Sequence, residues 1–583
     1  MITPTIVSQV NTSMNQKRKK TLTIDKNLLA ALLVNLAVMV FFAVFVYPVF
    51  ETNDDSTIRF FVDETKVITD THLIYQNVIL GYIYRLLYTL TRRFPWYSIF
   101  MWAVIFASLT AVGYVLFARM KKWTALVFSL FISLWFGYEG YCLMQYTKVA
   151  GLAGGAGMLL LYHACDPERL SEEEGGINRL EVAVGLLLGS IGSLYRFPMF
   201  LAAAMLTSGI PVSMLLGELC VQGKKALVRI RPLFCTCAGM LLLSLLSWGA
   251  DRLTYRSPFW QDYLRFNKVR TELLDYGLPV FETYQKQYES IGLDENAYEV
   301  LKYWNFADPE VITTEKLEII ASWKEKDPSS FGELLLRFFT EVPAGMKGRR
   351  VLYCLLALCL LWILCGRRRW QQIAGILWSL LGFFAFYLYL VGRGRYLYNR
   401  VDVVLLFALS LVFVWMIRSC HASLALGCFV MFLGLMEIMV GAPAMPAFQG
   451  SQAAAQLEEK KTMQQNRLME AAGDNDHLYL FTFQTLSDDD SFGPFEMATP
   501  GSMANLMWLG GWGAYTRIYQ ATEELWGISN PYRDMVDNEK VYLVDIAVGD
   551  RLNFLKSYYG VEAEAIKVGN LGQYPVYSIR SIS

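Results

Sequence analysis

The sequence predicts an α-helical polytopic membrane protein with about 11 transmembrane helices, a helical outer loop and a small C-terminal α/β unit. Three observations carry that prediction. Hydrophobic residues make up 54% of the 583 residues and charged residues only 18%, against about 45–50% and about 25% in soluble domains. The apolar residues come in runs of about 20, the length an α-helix needs to cross a hydrocarbon core of about 30 Å. The basic residues between the runs alternate in phase with the positive-inside rule. Net charge is zero, from 52 basic and 52 acidic residues. That balance excludes a nucleic-acid binder, whose footprint is a strong basic excess, and the hydrophobic content excludes a disordered chain.

The elements follow in order. Residues 28–50 (LLAALLVNLAVMVFFAVFVYPVF) form the first run. It is too long for a signal-peptide core and has no small-residue cleavage site, so it reads as a retained span. Further runs lie near 96–117, 123–142, 145–163, 180–195, 198–218, 233–250, 351–366, 371–391, 401–417 and 422–442. The run at 145–163 contains GLAGGAG, and such small residues suit close helix packing in a bundle. Lys17, Arg18, Lys19 and Lys20 place the N-terminus (1–27) in the cytoplasm. The later basic groups at 119–122, 169–179, 224–231, 367–369 and 418 fall on the same side, which leaves the C-terminus extracytoplasmic. The expected location is the plasma membrane, as a multi-pass protein.

Within the membrane module 28–442, two outer segments stand apart. Residues 51–95 are a first outer loop with one or two amphipathic helices lying in the interface. Residues 251–350 are a large, mostly helical outer loop. The tail 443–583 opens with a helix-like stretch. It continues with strand-like LYLFTF, VYLVDIAV and YPVYSI and the helix-like RLNFLKSYYG, a pattern for a small α/β domain. All ten cysteines lie in spans or on the inner side, so no disulfide framework is expected. Cys235 and Cys237 are too close for the usual zinc pair and read as apolar filler.

Candidate chemistry begins at E-T-N-D-D, where Glu51, Asp54 and Asp55 put three carboxylates within five residues just outside the first span. Repulsion between neighbouring carboxylates raises a pKa and can make one a base. Alternatively they share a divalent cation such as Mg or Mn, or the loop simply caps its helix. His72 and Gln76, four apart, would share a helix face. Glu139 sits at the outer end of the third span, as a second acid or as a partner for an arginine. Basic residues on the outer side run against the positive-inside rule. These are Arg196, then Lys347, Arg349 and Arg350, and the short loop GRGRYLYNR with Arg393, Arg395 and Arg400. Arginine offers a planar fork of donors that matches phosphate; the alternative is snorkelling to membrane lipid head groups. No GxxxxGK[ST], HExxH or GxSxG motif occurs.

The acidic Asn53-Asp54-Asp55 just outside the first span, followed by interfacial helices, many spans and a C-terminal outer domain, resembles the GT-C superfamily of membrane glycosyltransferases. The resemblance covers the architecture of the whole chain, and its residue-level match is the Asp pair. It implies a lipid-linked sugar donor, carried on a polyprenyl phosphate or pyrophosphate at the outer leaflet, and a glycan or lipid acceptor. Asp54 or Asp55 would act as base on the acceptor hydroxyl or help bind a metal. The outer residues Glu51, His72, Glu139, Arg196, Arg393, Arg395 and Arg400 would hold substrate. The first outer loop departs from the simplest pattern in lacking a spaced D-x-D. Two other readings are a transporter or flippase of lipid-linked saccharides and a glycan polymerase or ligase of another fold. A transporter more typically shows repeats and mid-membrane ionisable groups, whereas the carboxylates here cluster at one surface.

Overall fold

The structure, a computed structural model, describes residues 25–172, 176–324, 330–346, 369–394, 398–417, 469–485, 493–497 and 499–582, with Gln456 and Glu459 besides. Among the described residues, five stretches are long and apolar enough to cross a membrane: Lys26–Phe45, Trp96–Arg119, Lys122–Cys142, Arg179–Thr254 and Trp370–Arg393. The chain is a helical membrane protein. Helices also occupy the predicted runs at 145–163, as Tyr146–Ala164, and at 401–417, as Tyr398–Ile417. The predicted runs at 351–366 and 422–442, and the loop residues Lys347, Arg349 and Arg350, lie outside the described residues.

The first span shows how a nearly uniform apolar run is oriented. Asp25 caps it by accepting from the Asn27 N–H at 2.8 Å. Ala31, Asn35, Val38 and Phe42, spaced at helical intervals, are buried, while Leu29, Leu33, Val40 and Val44 are exposed. Asn35 lies on the inner stripe because it has partners there, donating to the Phe106 carbonyl at 2.8 Å and the Thr110 hydroxyl at 3.0 Å. The GLAGGAG helix is buried along its length. A Cβ on Gly157 would meet the Gly189 nitrogen at 2.5 Å, and one on Gly192 would meet the Gly154 nitrogen at 2.6 Å. The small residues therefore bring the backbones of Tyr146–Ala164 and Arg179–Thr207 together.

One outer turn of the sequence reading has a different form. The runs 180–195 and 198–218 meet at a kink, because Arg196 (φ −162°, ψ 100°) is non-helical inside Arg179–Thr207. Pro198 has no N–H to offer the carbonyl four residues earlier. That carbonyl, Leu194, instead accepts the Asn77 N–H at 2.8 Å. The 51–95 segment, expected as the first outer loop, contains helices Asn53–Val62 and Val78–Leu90. His72 and Gln76 precede the second and lie in irregular backbone, so the shared helix face expected of them does not form. Asn77 starts the helix instead, its side chain accepting from the Ile79 N–H.

Outside the bundle, the strands β3 (Leu478–Phe481), β4 (Leu506–Trp508), β5 (Val541–Val544), β6 (Ala563–Leu571) and β7 (Tyr574–Ser581) form one sheet of order β4-β3-β5-β7-β6. β3 pairs in parallel with β4 and β5, and β7 is antiparallel to β5 and β6. The sheet shares a core with helices of the 251–350 segment, through Trp260, Tyr263, Leu301 and Ile320 on one side and Leu478, Leu480 and Leu543 on the other. Its opposite face packs on Phe60 of the first outer loop. Just past two span ends, β1 (Val49–Phe50) pairs in parallel with β2 (Leu143–Met144), tying the end of the first span to that of the third.

Candidate functional site

Where these parts meet, they enclose a cavity of about 400 Å³. Its wall draws on the first outer loop (Asn53, Asp54, Lys66, Tyr75), the ends of membrane helices (Tyr146, Arg196, Arg400), the 251–350 segment (Arg270, Asp275, Trp304) and the tail (Phe483, Trp508, Trp512, Tyr519). Lys66, Arg196, Arg270 and Arg400 outnumber Asp54 and Asp275 on this wall. A half-enclosed site with that charge balance favours an anionic ligand.

Asp54 and Asp55 occupy the first turn of Asn53–Val62, where the free N–H groups of a helix favour negative charge. Consecutive helical residues point about 100° apart, and the two carboxylates diverge. Asp54 faces the cavity and accepts from the Trp512 indole N–H at 3.0 Å. Asp55 points into the protein and is 0% exposed. Its Oδ1 accepts from the Tyr97 hydroxyl at 2.8 Å and the Tyr146 N–H at 3.1 Å. Its Oδ2 has no partner among the described residues. Burial pushes the Asp55 pKa up to about 8, opposed by the Tyr97 hydrogen bond and reinforced by the charge of Asp54.

The Arg196 kink gives that side chain its direction. Its guanidinium donates to the Tyr146 hydroxyl at 3.1 Å and the Thr147 hydroxyl at 2.8 Å, and lies 5.4 Å from the centre of the Tyr146 ring. Asp55 holds the backbone of the same tyrosine, so the buried carboxylate orients the arginine through Tyr146. Arg400 enters from the first turn of Tyr398–Ile417. Arg270 ends Pro258–Arg270, is buried, and lies 5.3 Å from the centre of the Trp304 ring.

The structure thus brings Asp54, Arg196 and Arg400 to one cavity. Four other sequence candidates lie elsewhere. Glu51 and Glu139 both pair with buried Lys148, at 3.1 and 2.7 Å. His72 pairs with Asp70 at 2.7 Å and packs against Tyr255 and Trp260. Arg393 is exposed over the Tyr276 ring. Arg395 lies outside the described residues.

For a divalent cation, Asp54 and Asn53 offer adjacent oxygen ligands on this wall, Asp275 lies beside Arg270 at 3.9 Å, and Asp55 does not line the cavity. Mg²⁺ commonly takes one or two protein carboxylates and completes its shell with phosphate and water, so these residues fit the protein's share of such a site. Among the described residues no group of three or more His, Cys, Asp or Glu forms a metal cage.

Sequence reasoning missed Lys66, Arg270, Trp304 and Trp512. The signal for the last was the run W-L-G-G-W-G at 508–513. A Cβ on Gly510 would lie 1.5 Å from the Trp304 carbonyl oxygen, and Gly511 has φ +78°. Both positions need glycine, one for close approach and one for conformation. No protein-family profile matches the chain, and no curated protein does.

Proposed function

We propose that the chain is a membrane glycosyltransferase that moves a sugar from a polyprenyl phosphate or pyrophosphate to a glycan or lipid acceptor at the outer face of the membrane. The observation that supports this reading is that Asp54, Arg196 and Arg400, chosen from the sequence as base and phosphate ligands and far apart along it, line one cavity. About 11 spans, with the N-terminus inside and the C-terminus outside, belong to the same proposal.

Arg196, Arg270 and Arg400 hold the donor phosphate and stabilise the charge that grows on it as it leaves. Asp54 takes the proton of the acceptor hydroxyl. The acceptor oxygen bonds to the anomeric carbon, the bond from that carbon to the phosphate oxygen breaks, and its electron pair leaves with the phosphate. Attack from the opposite face inverts the anomeric configuration. The Trp512 N–H keeps the Asp54 carboxylate oriented. A divalent cation held by Asp54 and Asn53 would add charge neutralisation at the phosphate.

The test is transfer from a polyprenyl-phosphate-linked hexose in membranes containing the full chain. Asp54→Asn should lower the rate by about 10²–10⁴-fold, the usual worth of a general base. Arg400→Ala should raise the donor concentration needed for half-maximal rate, with Arg400→Lys intermediate, since lysine keeps the charge without the fork. An Asp54→Asn enzyme at wild-type rate sinks the catalytic reading. Movement of the lipid-linked saccharide across vesicles without transfer would put the flippase reading in its place.

A further inference from the structure

The wall of the cavity opposite in character to the arginines has no role in the donor chemistry. It is built by Lys66, Trp304, Phe483, Trp508 and Tyr519. Trp304 and Phe483 are stacked at 5.5 Å, and both rings are partly exposed, as is Trp508. Trp304 has φ +63°, a left-handed conformation that bulky side chains rarely adopt. It is held there by the backbone at Gly510 and by Asn305, whose side chain accepts from the Phe483 N–H at 2.6 Å. Strain of this kind persists where the surrounding structure requires it, and it clusters at ligand sites.

Two polar groups interrupt the aromatic surface. Lys66 is buried, its Nζ is 4.0 Å from the centre of the Trp508 ring, and it donates to the carbonyls of Met503 at 3.2 Å and Leu506 at 2.9 Å. With two carbonyls and the Trp508 face around it, the lysine fixes that ring in the wall. The Tyr519 hydroxyl is buried and has no hydrogen-bond partner among the described residues. Buried polar groups ordinarily find partners, and an unpaired one on a cavity wall points to a group the ligand brings.

We infer that this wall is the acceptor subsite and that the acceptor group it takes is a sugar ring, which decides between the glycan and lipid acceptors left open above. The inference rests on the glycosyltransferase reading. A pyranose has C–H faces that lie on the electron-rich faces of aromatic rings, and hydroxyls at its rim for Tyr519. A prenyl chain, unsaturated but apolar throughout, would cover the rings and leave the Tyr519 hydroxyl unpaired. The wall comes from the sheet, the first outer loop and the 251–350 segment, not from the apolar helices along which a lipid tail would run.

The test uses the full chain in nanodiscs and two probes, a panel of methyl glycopyranosides (glucoside, galactoside, mannoside, N-acetylglucosaminide) and undecaprenyl phosphate. At least one glycoside should bind, and Trp508→Ala should weaken it by about tenfold or more. Tyr519→Phe, which removes one hydroxyl and keeps the ring, should weaken it by about tenfold, as for loss of one buried hydrogen bond. Undecaprenyl phosphate should bind all three proteins equally. If undecaprenyl phosphate binds while no glycoside does, or while glycosides bind the variants as well as the wild type, the sugar subsite is wrong and the donor reading stands. If undecaprenyl phosphate does not bind the wild type, the donor reading falls and this inference with it.

Discussion

Asp54 and Asp55 are adjacent carboxylates with opposite surroundings, and the chemistry follows the surroundings. Asp54 has an indole N–H and an open cavity; Asp55 has two hydrogen bonds and no solvent exposure. With its pKa raised to about 8 by burial, Asp55 carries a proton at neutral pH. Its folded-state pKa lies above its unfolded value, so the folded state binds more protons. The stability it contributes is therefore full below about pH 4 and is lost as pH rises through about 8. Asn reproduces the protonated acid: it keeps the oxygen that accepts from Tyr97 and Tyr146 and places an NH₂ where Oδ2 has no partner. Asp55→Asn should therefore retain most transfer activity and should flatten the fall in melting temperature that the wild type shows from pH 7 to 9. Asp55→Leu leaves both donors unpaired and should cost about 1–3 kcal/mol per group, read as a lower melting temperature at every pH. An Asp55→Asn protein that melts with the wild-type pH profile would return the titration to another group.

The long membrane helices were legible because a run of about 20 apolar residues has few alternatives to a span. Of the shorter elements, the strand-like runs LYLFTF, VYLVDIAV and YPVYSI contain β3, β5 and β7, while β4 and β6 were not legible. β4 is the three residues Leu506–Trp508, too short for alternation to show, and β6 is an edge strand whose exposed Glu564 and Lys567 mask its pattern. The kink at Arg196 looked like a loop because arginine and proline interrupt a hydrophobic run in either case. At the site, Arg196 and Arg400 stood out against apolar neighbours, whereas Lys66 and Arg270 sit in mixed-charge segments where a cation is ordinary. The glycines of the bundle divide by their surroundings in a way no sequence shows. A Cβ on Gly192 meets backbone of Tyr146–Ala164 at 2.6 Å, while one on Gly217 meets nothing within 4 Å. Gly192→Ala should destabilise by about 1–3 kcal/mol, the usual cost of overpacking. Gly217→Ala should be neutral or stabilising by up to about 1 kcal/mol, since alanine is the better helix former. Thermal denaturation of both in the same detergent checks the pair, and equal melting temperatures would remove the backbone contact from the account of how these helices pack.

At the scale of the molecule, the balanced total charge divides among layers that the tertiary contacts connect. The tail reaches the first outer loop through Arg59, which donates to the Gly493 carbonyl at 3.1 Å, and through Lys66, which donates to Met503 and Leu506. It reaches the 251–350 segment through the Tyr263 hydroxyl, which donates to the Trp512 carbonyl at 2.7 Å. Parts joined by buried hydrogen bonds cannot lie on opposite sides of a bilayer, because each bond would have to cross its hydrocarbon core. The first outer loop, the 251–350 segment and the sheet therefore share one side, and the proposed orientation makes it the outside. Cysteines introduced at exposed positions of two of these parts, as Tyr303→Cys and Glu539→Cys, should react with a membrane-impermeant maleimide on intact cells at rates well above the wild-type background. Lys224→Cys, beside the exposed basic turn Gly223–Lys225, should react only after permeabilisation. Labelling of all three without permeabilisation would break the separation of faces. Labelling of Lys224→Cys alone would keep the shared side and invert the orientation, moving the cavity and any donor it binds to the cytoplasmic leaflet.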